Sequence, residues 1–172
     1  MTARLILVGC GKAKLKTAAP ARDLYTGNLF RAARGYAEAE VGEGWADAWG
    51  VVSARLPGIF WPGEVVTPYD NVIPFARRQQ VAWLGWVRKS LVDAEVDSLD
   101  EVVVLAGRRY VDGVRRAVDD LVSVVAPLEG LQVGERLAWF KAKREERDIL
   151  DGLVDDLLEV AMARFGHLRG LV

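Results

Sequence analysis

Four short aliphatic runs punctuate the first three quarters of the chain: Leu5–Val8, Ala48–Ser53, Glu101–Ala106 and Ser123–Ala126. None alternates strictly between apolar and polar positions, which is the pattern of strands covered on both faces. Between them the apolar period lengthens to that of a helix. Asn28–Val41 carries alanines and arginines at helix-favouring positions, and Gln79–Val92 sets Val81, Leu84, Val87 and Leu91 on one stripe. A further helix is expected over Val111–Leu121, and a long helix or helix pair over Trp139–Phe165, where Leu150, Leu153, Leu157, Leu158 and Phe165 form an apolar face. Strands alternating with helices predict a three-layer, Rossmann-like α/β domain with a mostly parallel central sheet and a helical C-terminal segment. At 172 residues the chain reads as a single domain, with an α/β core over 1–135 and the helical segment over 136–172.

One stretch breaks the rhythm. Leu56–Phe75 holds Pro57, Gly58, Pro62, Gly63, Pro68 and Pro74, too many breakers for a regular element. A connection this long is more often functional than structureless.

Composition narrows the chemistry. A net charge of −1 argues against a surface that binds nucleic acid everywhere, but the charge is uneven. Residues 1–34 hold seven basic side chains against Asp23 alone, whereas residues 148–160 hold five acids and no base. That asymmetry points to an anionic partner near the N-terminal half. With one cysteine (Cys10) and one histidine (His167), an internal disulfide is excluded, and a thiolate zinc site and a histidine-based triad are disfavoured. No metal and no other cofactor is expected. The opening apolar run is too short to span a membrane and lacks a signal-peptide cleavage pattern, so the expected location is the cytoplasm, with no membrane partner. The sequence leaves the oligomeric state open.

Candidate site residues gather where strands end. Cys10-Gly11-Lys12-Ala13-Lys14 follows the first strand. It matches neither a Walker loop nor GxGxxG, but offers flexible backbone N–H groups and two cations to an anion. Cys10 beside lysines is a candidate nucleophile, or a small buried apolar residue. Thr26 or Asn28 suits an N-cap, which would bring Arg31 and Arg34 into the first turns beside a bound phosphate. Asp23 is either a catalytic carboxylate or one half of a surface ion pair. In the proline-rich stretch, Tyr69 and Asp70 are held stiffly between Pro68 and Pro74, an aromatic for stacking beside a carboxylate for proton transfer. The other reading of Asp70 is an Asx-type turn. Gly107-Arg108-Arg109-Tyr110 follows the third strand at the same sheet edge as Cys10, where two arginines suit a phosphate or carboxylate. The six tryptophans read mainly as packing residues.

Several of these segments, in this order, resemble an uncharacterised bacterial and phage family that is itself similar to the YaaA peroxide-stress proteins. They are Cys10-Gly11-Lys12-x-Lys14, Ala21-x-Asp23-Leu24-Tyr25-Thr26-Gly27, Val52-Ser53-Ala54-Arg55 with Gly58, Pro68-Tyr69-Asp70, Leu105-Ala106-Gly107-x-x-Tyr110, and Pro127–Leu131 with Gly134 and Trp139. The resemblance implies a partner among nucleotides, nucleobases or nucleic acid (DNA or tRNA). Two functions are expected from it. One is an enzyme cleaving or exchanging an N-glycosidic bond, with Asp70 or Asp23 as the carboxylate, Tyr25 or Tyr69 stacked on the base, and Cys10, Gly11, Lys12, Lys14, Ser53, Arg55, Gly107, Arg108 and Tyr110 binding the substrate. The other is a non-catalytic DNA-binding, stress-protection protein of YaaA-like type.

Overall fold

A computed structural model describes residues 3–70, 77–93, 100–118 and 122–165. In chain order the elements are β1 (Arg4–Gly9), β2 (Ala19–Pro20), α1 (Ala21–Leu24), α2 (Asn28–Gly42), β3 (Ala48–Val52), β4 (Ile59–Phe60), β5 (Val65–Val66), α3 (Arg77–Asp93), β6 (Glu101–Leu105), α4 (Arg108–Ala117), β7 (Ser123–Val125) and α5 (Val133–Phe165). The main sheet runs β4-β3-β1-β6-β7. β1 pairs in parallel with β3 and β6, and β6 with β7; only β4 is antiparallel. The expected α/β architecture with a mostly parallel sheet is therefore present. No helix among the described residues is long and apolar enough to cross a membrane.

Both faces of the sheet are covered, as runs without alternation require. Ile6 and Val8 of β1 face one core with Phe30, Ala33 and Ala37 of α2 and Phe140 of α5. Leu5 and Leu7 face the other core with Trp83, Val87 and Leu91 of α3 and Val111 and Val114 of α4. β7 departs from the expected pattern: Ser123 and Val125 are exposed, because it is an edge strand.

The stripe expected on α3 is rotated. Val81 is exposed, and the buried ridge is Trp83, Val87 and Leu91 at i, i+4 and i+8. Trp83 takes over because Gly113 of α4 opens a slot for it: a Cβ built there would lie 2.8 Å from the indole Cη2. α4 also starts three residues before the expected Val111, at Arg108, and Leu121 lies outside the described residues. Within the proline-rich stretch, two-residue strands form where a loop was expected. β4 pairs with β3 across the short connection from Val52 to Ile59, and β5 pairs with β2, a partner distant enough that local sequence does not announce it. Asn71–Phe75 of that stretch lie outside the described residues.

Candidate functional site

The chain leaves β1 to build α2, which packs on one face, and leaves β6 to build α4, which packs on the other. Strands β1 and β6 are neighbours, so their carboxyl ends form the switch point at which an open α/β sheet parts into a crevice. A cavity of about 100 Å³ lies there, lined by Gly9, Cys10, Gly11, Phe30, Ala106, Gly107, Tyr110 and Arg136, among others. Its floor needs small residues. A Cβ on Gly9 would come within 2.8 Å of the Ala106 Cβ and 3.2 Å of its Cα.

Two helices begin at this cavity. The expected capping of α2 by Thr26 or Asn28 does not occur: its N-cap is Gly27, and that of α4 is Gly107, and neither start receives a side-chain hydrogen bond. Apart from the Tyr110 N–H, which donates to the Gly107 carbonyl at 2.9 Å, the opening N–H groups are not closed by their N-cap residues, and the positive ends of both helix dipoles lie beside the cavity. Arg136 adds a guanidinium, its Nε donating to the Leu131 carbonyl at 2.8 Å. Sequence reasoning missed Arg136 as a site residue, because α5 returns it to the edge from far along the chain.

Beside the cavity stands a network of hydroxyls. Ser53, fully buried at the end of β3, accepts a hydrogen bond from the Arg55 N–H at 3.0 Å, and its hydroxyl bonds the Tyr69 hydroxyl. Tyr69 bonds Tyr25 at 2.6 Å, and the Cys10 sulfur bonds the Tyr110 hydroxyl at 3.2 Å. Trp83 fixes the far side, its Nε1 donating to the Ser53 carbonyl at 2.8 Å. Two cations lie over the Tyr69 ring, the Lys14 ammonium at 4.5 Å and the Arg55 guanidinium at 5.2 Å from its centroid. Arg55 is held there by the Thr67 carbonyl at 2.7 Å.

The phenols are proton-retaining. Burial pushes Tyr69 up to about 12, with the Cys10 sulfur adding to it. Burial likewise raises Tyr25, helped by its bond to Tyr69, and Tyr110, helped by Cys10. At neutral pH they are donors and acceptors, not bases.

The structure thus brings together Cys10, Gly11, Lys14, Tyr25, Ser53, Arg55, Tyr69, Gly107 and Tyr110. It does not bring in Lys12, Arg108 or Asp23. Lys12 is exposed. Arg108 is 84% exposed and its nearest acid is Asp112 of the next turn, so it forms no clamp with the edge. Asp23 pairs with Arg34 at 3.0 Å on the surface, which is its non-catalytic reading. The same bond takes Arg34 away from the start of α2. Tyr25 is 2% exposed and packs against Phe30 at 4.8 Å, leaving no face for a base. Stacking on Tyr69 is contested by the two cations. Asp70 is exposed immediately after Tyr69. No group of three or more potential metal ligands occurs among the described residues.

These features define an α/β domain with a crevice at its switch point, between two helix starts and flanked by a part-buried phenol–thiol–hydroxyl network. The chain belongs to the DUF6884 family, a family of unknown function, whose model matches residues 5–142. No curated protein and no solved structure matches it.

Proposed function

We propose that the protein is a nucleotide- or nucleobase-directed enzyme that takes a phosphate at the β1/β6 crevice and cleaves or exchanges an N-glycosidic bond beside it. The observation that carries this reading is the cavity between two helix starts that no side chain caps. Such a place supplies N–H donors and dipole ends to an anion without a dedicated lysine. Arg136 and Lys14 add charge. The cavity is too small for a whole nucleotide, so the phosphate enters and the sugar and base extend over Tyr69 and Asp70. The choice of a nucleotide rests on the resemblance to YaaA-like proteins.

Breaking an N-glycosidic bond passes through an oxocarbenium-like state that a carboxylate stabilises. Asp70 takes that role because Asp23 is tied to Arg34. The protonated phenols orient the substrate through hydrogen bonds. Three of the seven bases in residues 1–34 are paired with acids, Arg4 with Glu101, Arg22 with Glu38 and Arg34 with Asp23, which leaves the non-catalytic DNA-binding reading a smaller basic face.

The test is chromatography with mass detection for free base released from DNA, tRNA and pooled nucleotides, with Asp70→Asn alongside. Release by the wild type and loss of release in the variant, with ligand binding kept, is the expected result. Equal release by the variant removes Asp70 from the mechanism. No release from any pool, together with a steep fall of DNA affinity with salt, returns the DNA-binding reading.

A further inference from the structure

Past the domain's edge, α5 continues as an exposed helix. Among the described residues, its last ion pairs to the domain are those of Arg147 with Glu40 and Glu43, each at 2.7 Å. From Asp148 to Met162 every residue is exposed, over a length of roughly 22 Å. This stretch lies beyond the family match, which stops at residue 142.

Such a stretch is a poor helix by itself. A segment of this length is marginal in water even where its composition favours the helix. Here Gly152 sits in the middle, and Asp151 with Asp155, and Asp155 with Glu159, set like charges four residues apart. Residues 148–160 hold five acids and no base to offset them. Helix over this stretch therefore requires that one of its faces be buried.

The sequence marks which face. Leu150, Leu153, Leu157 and Val160 recur at intervals of three, four and three, the a and d spacing of a coiled coil. Ile149 and Val154 flank them at g and e, and all six side chains are more than half exposed. At about 100° per residue, Asp148, Asp151, Asp155 and Glu159 fall on the opposite side of the helix.

We propose that this stripe is covered by the same stripe of a second copy of the chain, the two α5 tails running parallel and in register as a short two-stranded coiled coil. Leucine then meets leucine at 150, 153 and 157, and valine meets valine at 160. Ile149 lies against Val154 of the other copy and Asp156 against Ala161, so no like charges face each other along residues 149–161. Toward the domain the stripe ends at Glu146, whose carboxylate Lys143 already holds at 2.7 Å. An antiparallel pair overlapping the whole stripe would set Asp156 against Asp156. The acids that would draw a basic partner helix point away from the stripe, so charge does not select an unlike protein. Six side chains from each copy, at roughly 60–120 Å² of apolar surface apiece, remove on the order of 1,000 Å² in total, about what a specific interface must clear.

Association and the helix of residues 148–162 are then one event. Sedimentation equilibrium and circular dichroism of the full chain, over micromolar to millimolar concentrations, read the two together. The wild type is expected to dimerise, and to lose helical signal as it dissociates on dilution. Leu157→Asp, on the stripe, weakens association on the order of a hundredfold or more, because it buries a carboxylate against its own copy. Leu158→Asp, the next residue but on the solvent side, weakens it no more than a few-fold. Leu153→Cys in a Cys10→Ser chain, oxidised with copper phenanthroline, forms an intermolecular disulfide, since residue 153 faces its own copy only in the parallel register. A cooperative thermal transition confirms that each variant keeps its domain folded. A wild type that stays monomeric throughout overturns the proposal and gives the stripe to an unlike protein. A dimer that tolerates Leu157→Asp, or the absence of a cross-link at residue 153, overturns it as well.

Discussion

Replacing Ser53 with alanine removes a hydroxyl that serves two partners in a fully buried position. The Arg55 N–H loses its acceptor, and Tyr69 keeps only Tyr25. A buried donor left without a partner costs about 1–3 kcal/mol, and the lost Tyr69 bond adds about 0.5–1.5 kcal/mol. Allowing for partial relaxation, the expected loss is about 2–3 kcal/mol. In a domain of this size each kcal/mol moves the melting temperature by about 2–4 °C, so Ser53→Ala should melt roughly 5–10 °C below the wild type. Tyr69→Phe removes the same bond from the other side. A double-mutant cycle of the two by urea unfolding should therefore show a coupling of about 0.5–3 kcal/mol, because the second change has less left to break. Strict additivity, or a Ser53→Ala loss below about 0.5 kcal/mol, would refute the network as the element that holds this edge together.

Other expectations concern the rest of the molecule. Gly113→Ala drives a methyl into the Trp83 indole and should cost about 1–3 kcal/mol by overpacking; a variant as stable as the wild type would mean that the indole has room to move. All four tyrosines are held above their ordinary range, chiefly by burial, Tyr36 and Tyr69 to about 12. Because the folded state holds these protons more tightly than the unfolded chain, their contribution to stability is complete below about pH 10 and is lost as pH rises through about 12. Tyrosinate absorbance and melting temperature recorded together across that window check it; full ionisation near pH 10 with the fold intact would contradict it. Asp23→Asn, which breaks a surface pair, should change stability by no more than about 1 kcal/mol and leave any base release untouched, in contrast to Asp70→Asn.

The sheet was legible because its central strands are buried on both faces and so appear as unbroken aliphatic runs. Their carboxyl ends are then the natural place for a site, and Cys10 and Tyr110 follow from that, whereas Ser53 enters only through the family resemblance. What stayed hidden depends on partners far along the chain. The phase of α3 is set by Gly113, some thirty residues away, so counting apolar positions chose Val81 where Trp83 is buried. The two-residue strand β5 exists only because β2, from the start of the chain, lies beside it. Asp23 looked chemically available until α2 brought Arg34 against it. Arg136 gave no local signal, since its approach to Gly9 and Gly107 depends on the docking of α5.

The sheet's margins carry a consequence for handling the protein. One edge is the two-residue antiparallel β4, and the other is β7, three residues long and partly polar. An edge so short offers an incoming chain few unpaired backbone groups to template on. Half the residues are hydrophobic, yet the aggregation-prone strands β1, β3 and β6 are all interior. Strand-to-strand aggregation from the native state is therefore hindered at both margins, most weakly along Ala48–Gly50, where β4 does not reach.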